Sequence, residues 1–212
     1  MRLVLFGATG RVGKDVLKLA LADGHEVTAF VRSADRLPQS LSENRMLKIH
    51  QGDVLNKSDV DEVMAGGYDL VFSALSTDKS STLSKGVPHI INAMNKHGVN
   101  RFISIGTAGI LQARSAPALY RFQSSESKRK STAAAEEHLA VYKSLEKSTL
   151  DWIIFCPTYL PDGEATGNVI YELNRLPEKV RKISVGNTAK FSYTQMFNDS
   201  FTGHRIGIGE AE

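Results

Sequence analysis

Residues 3–16 read LVLFGATGRVGKDV, and this stretch decides the fold. Four apolar residues have the length of a short buried strand, and residues 12–22 then show helical periodicity. Between them, Gly7 permits a tight turn, Gly10 lets the backbone approach a pyrophosphate, and Gly13 lets the helix pack on the strand. The N–H groups that begin such a helix favour phosphates, although a turn without a ligand is the alternative. The residues expected to contact a dinucleotide here are Gly7, Ala8, Thr9, Gly10, Arg11 and Val12.

Short apolar runs alternate with stretches of helical periodicity as far as Pro157. This alternation is typical of a parallel sheet with helices on both faces. We therefore expect a three-layer α/β Rossmann fold with a doubly wound, mostly parallel sheet. Strands are expected at residues 3–6, 26–31, 46–50, 70–74, 102–105 and 152–155, and helices at 12–22, 60–64, 87–94 and 133–145.

The chain has the size of one domain. Its 212 residues, 42% of them hydrophobic, can bury one sizeable core and are too few for two typical domains. Residues 161–177 are rich in glycine, proline and polar side chains, which favours a loop region near a substrate. We expect residues 1–212 to form a single NAD(P)-binding domain with a small substrate-side lobe from about 157–212. A last helix near 189–197 and a strand near 206–208 are expected there.

Charge and cysteine content exclude several classes of protein. The net charge of +3 comes from 26 basic and 23 acidic residues spread along the chain, so we expect no nucleic-acid partner. The basic run at residues 128–130 is interpreted as a solvated helix start rather than a polyphosphate or RNA site. Cys156 is the only cysteine, which excludes an internal disulfide and a cysteine-rich metal site. With no membrane-spanning run and no room for a cleavable signal, we expect a cytoplasmic protein.

The end of the second expected strand indicates which dinucleotide binds. An NAD-specific domain has an acidic side chain there for the ribose hydroxyls, whereas this chain has Arg32 and Ser33. A guanidinium pairs with a 2′-phosphate, and a serine hydroxyl adds a donor. We expect NADP(H) in preference to NAD(H), the alternative being a surface arginine without a specific role.

The glycine spacing is G-x-x-G-x-x-G rather than G-x-G-x-x-G, and it resembles the extended and atypical short-chain dehydrogenase/reductases. In that superfamily the residues after the third strand contact adenine, which the resemblance assigns to Asp53 with Val54. A helix N-cap is the competing role for Asp53. Small residues at the end of the fourth strand let the chain pass beneath the cofactor, although they also suit a buried strand end. The residues expected there are Ser73, Ala74 and Leu75.

The resemblance is incomplete at the catalytic residues. Short-chain dehydrogenases use a hydroxyl after the fifth strand and a Tyr-x-x-x-Lys helix, whose lysine lowers the tyrosine pKa. Thr107 falls at the hydroxyl position, but no tyrosine of this chain is followed by a lysine four residues later. Alignment back from STLDW at 148–152 puts Ala134 at the tyrosine position and His138 at the lysine position. The usual proton relay is missing.

In lacking this relay, the chain resembles the flavin reductase and biliverdin-IXβ reductase group and the bacterial NADH-flavin reductases. The resemblance covers nearly the whole chain and implies hydride transfer from a nicotinamide to a stacked flavin, quinone or tetrapyrrole, with a proton from solvent. Flavin is then a substrate rather than a tightly bound cofactor. The shared stretches are FGATG at 6–10, VR at 31–32, RLP at 36–38, GDVL at 52–55, DVD at 59–61, KHGV at 96–99, TA at 107–108 and TG at 166–167.

The resemblance also suggests roles for residues near the nicotinamide. Thr107 would orient the nicotinamide or the substrate, while His138 and Tyr142, on one helix face, would line the pocket. Packing is the alternative role for His138. Cys156 and Pro157 end the sixth strand near the expected nicotinamide, and Cys156 is expected to be a buried packing residue rather than a nucleophile.

Two other functions remain open at this point. One is a non-catalytic NADP(H) sensor that reports redox state to a partner protein. The other is a nucleotide-sugar epimerase or dehydratase, which the absent Tyr-Lys pair and the small C-terminal part disfavour. The leading hypothesis is an NADPH-dependent reductase with a small-molecule acceptor, no membrane partner, and a monomeric or weakly dimeric state.

Overall fold

The computed structural model describes residues 1–77 and 81–211. Its centre is one sheet of eight strands: β1 (Arg2–Phe6), β2 (Glu26–Val31), β3 (Leu47–Gln51), β4 (Leu70–Ser73), β5 (Arg101–Ile105), β6 (Asp151–Pro157), β7 (Val169–Leu173) and β8 (His204–Glu210). Their order in the sheet is β3-β2-β1-β4-β5-β6-β8-β7. Neighbouring strands are parallel except β7, which runs antiparallel to β8. The order reverses between β1 and β4, so the expected doubly wound, mostly parallel sheet is confirmed.

Helices cover both faces of the sheet because successive side chains of each strand point to opposite faces. In β1, Val4 and Phe6 pack in the core on one face of the sheet, whereas Leu3 and Leu5 pack in the core on the other face. Within the described residues, no helix combines the length and apolar character that a membrane span requires. The helices are α1 (Arg11–Ala22), α2 (Gln39–Ser42), α3 (Lys57–Met64), α4 (Thr82–His97), α5 (Ala133–Glu146) and α6 (Val185–Thr194).

The C-terminal quarter departs most from the sequence-based expectation. The last strand is longer than expected, and α6 begins and ends a few residues before the helix expected at 189–197. Strand β7 was not predicted, since its residues lie within the stretch interpreted as a loop region. Because β8 pairs with β6 and α6 packs on α1, much of the segment expected to form a lobe belongs to the main sheet and its covering layer.

Candidate functional site

The turn between β1 and α1 is built so that two backbones cross. Gly7 has a φ of +80°, and a Cβ atom there would lie 2.6 Å from the carbonyl carbon of Ala74. A Cβ on Gly13 would lie 2.1 Å from the carbonyl oxygen of Gly7. Only glycine fits either position, because a side chain would overlap main-chain atoms that cannot move aside. The turn after β1 is therefore held against the turn after β4.

Helix α1 begins at this crossing with unsatisfied N–H groups. Its N-cap residue is Gly10, which has no side chain to accept a hydrogen bond from the first turn. The Gly10 N–H itself donates to the Gly7 carbonyl over 2.9 Å. The free N–H groups and the helix dipole together favour an anion at this point.

A cavity of about 260 Å³ extends from this turn towards the ends of β2 and β3. Thr9 and Gly10 lie at one part of its wall, and Arg32 and Arg36 belong to the same wall. Both arginines are exposed, so their guanidinium groups are accessible to a ligand. We call this space the cofactor cavity. Its apolar lining includes Phe30, Val31, Val54, Ala74 and Leu75.

The shape and chemistry of the cofactor cavity fit a dinucleotide phosphate. The glycine turn would hold the pyrophosphate with main-chain N–H groups, since no Cβ atom stands between them and the ligand. Arg32 and Arg36 offer two guanidinium groups to a further phosphate. Arg36 lies in one of the shared stretches but was not predicted as a site residue. It follows Arg32 by one short turn of the chain, and this spacing could have indicated that both side chains reach the same cavity.

A second cavity of about 380 Å³ lies at the ends of β5 and β6. Thr107 and Pro157, which follow or end these strands, both line it. Much of its lining is apolar, and four basic side chains also contribute. We call this space the acceptor cavity. Its apolar members include Ala108, Phe122, Ala134, Ala135 and Val180, and its basic members are Arg121, Lys128, Arg129 and Arg181.

The acceptor cavity is more basic than acidic. Glu126 also lines it, but this carboxylate is 3.5 Å from the guanidinium of Arg121. Burial opposes ionisation of Glu126, yet hydrogen bonds from Ser115 outweigh it and lower its pKa. Glu126 is thus a carboxylate that offsets Arg121, while Lys128 and Arg129 are exposed at the same cavity. The excess of basic side chains favours a ligand with negative charge.

Comparison with known families agrees with this geometry. Residues 7–199 match the family described as NAD(P)H-binding. The chain belongs to the NAD(P)H-binding family. The match begins at Gly7 and takes in the cofactor cavity, the acceptor cavity and helix α6.

Solved structures share the fold of this NAD(P)H-binding protein. A protein of Bacteroides thetaiotaomicron, provisionally called an epimerase, is 31% identical, with a TM-score of 0.86 over 100% of this chain and 97% of that one. The anaerobilin reductase of Escherichia coli O157:H7 is 24% identical, with a TM-score of 0.82 over 100% and 98%. A short-chain dehydrogenase/reductase of Veillonella parvula, solved with NADP, is 17% identical, with a TM-score of 0.78 over 99% and 94%.

Curated relatives are longer than this NAD(P)H-binding chain. A chloroplastic protein of Arabidopsis thaliana is 26% identical over an alignment of 188 residues, which covers 81% of this chain and 63% of that protein. A 3-beta-hydroxysteroid dehydrogenase of Mycolicibacterium neoaurum is 30% identical over an alignment of 116 residues, which covers 48% of this chain and 31% of the enzyme. The chain therefore spans less than two thirds of each of these proteins.

Asp53 of this NAD(P)H-binding protein lies in the wall of the cofactor cavity, beside Val54. The alternative role as the cap of α3 is wrong, because Asn56 is the N-cap and accepts the Ser58 N–H over 3.0 Å. One carboxylate oxygen of Asp53 accepts the Leu55 N–H over 3.0 Å. This bond fixes the orientation of the carboxylate at the cavity wall.

Several residues expected around the cofactor do not present their side chains to it. Ala8, Val12 and Ser73 are buried, so only their backbone could contact a ligand. The guanidinium of Arg11 instead donates to Asp162 over 2.9 Å and to the Leu160 carbonyl over 3.1 Å. Ser33 is the N-cap of the short 3-10 turn Ala34–Arg36 and is not among the described residues that line the cofactor cavity.

The three residues expected near the nicotinamide are not brought together. Thr107 is half-buried in the acceptor cavity, where its hydroxyl accepts the Gly109 N–H at 3.5 Å. His138 lies one turn beyond Ala134 on α5 and is not among the described residues that line this cavity. Burial lowers the His138 pKa to about 4, with Glu137 opposing the shift. The imidazole is therefore neutral at physiological pH.

Tyr142 lies at a different cavity, so the expectation that it shares a pocket with Thr107 is wrong. Its hydroxyl donates to Glu146 over 2.6 Å, and its ring lies 4.2 Å from the guanidinium carbon of Arg205. Burial raises the Tyr142 pKa to about 12, with the Glu146 bond adding to the shift. The phenol is consequently neutral and engaged in local contacts.

Cys156 is completely buried beside the end of β6. Burial raises its pKa to about 12, so the thiol remains protonated. A Cβ on Gly106 would lie 3.2 Å from its sulfur, which shows how closely the two strands pack there. The structure thus places Cys156 as a packing residue, and Pro157 rather than Cys156 contributes to the acceptor cavity.

Proposed function

We propose that this protein is an NADPH-dependent reductase of flat, conjugated acceptors, with flavins the first class and tetrapyrroles or quinones the next. The observation that carries the proposal is the acceptor cavity, in which an apolar lining and exposed cations surround Thr107 at the edge of the sheet that also holds the glycine turn. An apolar surface favours a stacked ring system, and the cations favour its anionic substituents.

The chain's own residues would act mainly by binding and orientation. Arg32 and Arg36 would hold the 2′-phosphate, which distinguishes NADPH from NADH. Thr107 would orient the reacting ring through its hydroxyl. When bound, the reduced nicotinamide supplies a hydride, and the acceptor takes up that hydride together with one proton from water.

The source of the proton follows from what the acceptor cavity contains. Ala134 lines the cavity where the resembled dehydrogenases carry a tyrosine. His138 cannot serve as an acid near neutral pH, because its pKa is lowered to about 4. Water is therefore the proton donor that we propose, which suits acceptors whose reduced form takes up a proton readily.

The comparisons support the reductase class. Anaerobilin reductase shares the fold over nearly all of both chains, and a short-chain dehydrogenase/reductase of the same fold was solved with NADP. These likenesses support a reductase function, because the same fold occurs in a reductase and in a protein solved with NADP.

The test is the loss of nicotinamide absorbance when the protein meets NADPH with FMN, riboflavin or a quinone. Parallel reactions use NADH in place of NADPH and omit the protein. We expect turnover with FMN that is faster with NADPH than with NADH. Saturable NADPH binding without turnover of any of these acceptors would overturn the proposal.

A non-catalytic NADP(H) sensor is the second candidate. The observation that favours it is the absence of an ionisable proton relay at Ala134 and of an acid at His138 under neutral conditions. Such a protein would bind NADPH as tightly as an enzyme does and would leave every acceptor unreduced. The same assay, combined with a binding measurement, separates the two candidates.

A further inference from the structure

A third cavity, of about 420 Å³, lies apart from the cofactor and acceptor cavities. Tyr142 of α5, Asn174 after β7, and His204 and Arg205 of β8 contribute to it. The loop that follows the acceptor-cavity residues also lines it, through Gln112, residues 117–119 and Tyr120. None of its described lining residues belongs to the cofactor cavity or to the acceptor cavity.

Arg205 is the unusual member of the cavity. It is the second residue of β8, the strand next to the edge strand β7, and it is only 8% exposed. Nη1 donates to the carbonyl oxygen of Ile110, whereas Nε is buried without a hydrogen-bond partner among the described residues. Within the same part of the chain, no carboxylate forms an ion pair with this guanidinium.

Two aromatic rings lie close to the guanidinium. Its central carbon is 4.2 Å from the ring centre of Tyr142 and 5.5 Å from that of Tyr120. Cation–π contacts of this kind stabilise the charge but do not satisfy N–H donors that lie in the guanidinium plane. With Nη1 bound to Ile110, the edge formed by Nε and Nη2 remains, and this edge presents two parallel N–H groups.

His204 adds a further donor beside Arg205. The Asn174 carbonyl oxygen accepts the backbone N–H of Arg205 over 3.2 Å, so its amide nitrogen faces Nδ1 of His204 at 3.0 Å. An amide nitrogen only donates, which makes Nδ1 the acceptor and places the histidine proton on Nε2. The cavity is therefore lined by a cation and by an imidazole that carries its N–H away from Asn174.

We propose that this third cavity binds a small anion, a carboxylate- or phosphate-bearing metabolite, on the Nε–Nη2 edge of Arg205. A buried charge without a counter-charge is costly, and a bidentate carboxylate or phosphate oxygen pair compensates it. Tyr120 and Tyr142 contact the guanidinium, and the cavity is large enough for a small metabolite. The site does not depend on the proposed reductase activity.

The test uses the protein's own fluorescence. Trp152 is the only tryptophan, and its ring centre lies 5.8 Å from that of Tyr142, beneath Arg205. The protein, saturated with NADP⁺ to occupy the cofactor cavity, is titrated with inorganic phosphate and separately with malonate at constant ionic strength. Sodium chloride serves as the control. We expect a saturable change with at least one of the two anions and none with chloride, and the comparison tells phosphate from carboxylate ligands.

Two kinds of variant assign the signal to this cavity. Arg205→Met should weaken the binding of the anion at least tenfold. Arg181→Met in the acceptor cavity should leave the dissociation constant within about twofold of its original value. Because Arg205 is buried and its loss can impair folding, an exposed pair is the main control. Ala118 is exposed and lines the cavity. Ala118→Glu should weaken the binding of the anion about tenfold, because the added carboxylate repels it, and Ala118→Gln should not.

The outcomes decide the proposal. A linear response to both anions, or a saturable response that Ala118→Glu and Ala118→Gln change equally, would show that no anion occupies this cavity. A saturable response that is lost in Arg181→Met and kept in Arg205→Met would place the anion in the acceptor cavity and overturn the proposal in the same way.

Discussion

Two arginines at the end of β2 decide how the dinucleotide is recognised in the proposed function. We predict that Arg32→Ala combined with Arg36→Ala raises the KM for NADPH at least about 100-fold, because two charge-assisted bonds to a phosphate, at about 1.5–3 kcal/mol each, are lost. The KM for NADH should change by less than about threefold, since that cofactor lacks the 2′-phosphate. Steady-state kinetics with both cofactors measures the difference.

Arg45→Ala is the matched control for this pair. Arg45 is also exposed but is not among the described residues that line the cofactor cavity. Its loss should leave both KM values unchanged. Equal weakening of NADPH and NADH in the double variant would mean that the arginines support the fold or the adenosine rather than the phosphate.

The cations of the acceptor cavity make a second prediction at the residue scale. Lys128→Ala combined with Arg129→Ala should lower kcat/KM for FMN about tenfold, because the phosphate of FMN loses two partners. Riboflavin, which has no phosphate, should be affected by less than about threefold. Rates of NADPH oxidation with the two flavins measure the effect, which should shrink as salt screens the charges.

Lys130→Ala provides the control, since Lys130 is exposed and adjacent in sequence but is not among the described lining residues. An equal loss for FMN and riboflavin would contradict recognition of the phosphate. The structure changes the interpretation of residues 128–130 as a solvated helix start: α5 begins only at Ala133, and Lys128 and Arg129 line a cavity.

The sequence was most informative where a residue's position follows from one adjacent strand. Arg32 and Asp53 lie directly after β2 and β3, so their places at the cofactor cavity could be anticipated. Lys128 and Arg129 could not be placed, because a loop far from any strand end brings them to the acceptor cavity. Tyr142 was misplaced for a related reason: its helical phase relative to His138 does not reveal which neighbouring cavity its ring faces.

Helix α5 carries the imidazole whose protonation is coupled to folding. Burial lowers the His138 pKa to about 4, against an ordinary value of 6.5 in the unfolded chain. Between these pH values the unfolded state binds a proton that the folded state does not. The unfolding free energy therefore has its full value above pH 6.5 and decreases as the pH falls towards 4. We predict that His138→Gln reduces the loss of unfolding free energy over this interval.

Urea unfolding of both proteins across this interval measures the effect as a changing difference in unfolding free energy. Above the interval the difference should stay constant, because the imidazole is neutral in both states. A difference that does not vary with pH at all would mean that His138 is protonated equally in the folded and unfolded chains, and it would reopen a role for this residue as an acid.

Strand β7 shows why elements of the C-terminal quarter were harder to predict than those before Pro157. Its residues have a mixed pattern in which Ile170, Tyr171 and Leu173 are exposed, because it lies at the edge of the sheet. The strand forms through antiparallel pairing with β8, which is distant in sequence. Such pairing leaves no local signal, whereas buried parallel strands such as β1 announce themselves as continuous apolar runs.

Over the whole molecule, the parallel strands bring both proposed binding cavities to the edge where the strands end. The cofactor cavity is assembled from the ends of β1 to β4, and the acceptor cavity from those of β5 and β6 together with distant loops. The doubly wound order explains why the first half could be anticipated in detail, since each of its contacts follows a strand in a fixed sequence. The second half depends on contacts between loops.

This assembly predicts that the cofactor stabilises the entire fold. NADP⁺ at about 100 times its Kd should add about 2.7 kcal/mol to the unfolding free energy, because it binds the folded chain alone. For a domain of this size the increase corresponds to a Tm higher by about 5–10 °C, which thermal unfolding by circular dichroism measures. NAD⁺ at the same concentration should raise the Tm less, and the Arg32→Ala, Arg36→Ala variant should lose most of the NADP⁺ effect. Equal shifts with both nucleotides would show that the fold binds the dinucleotide without reading its 2′-phosphate.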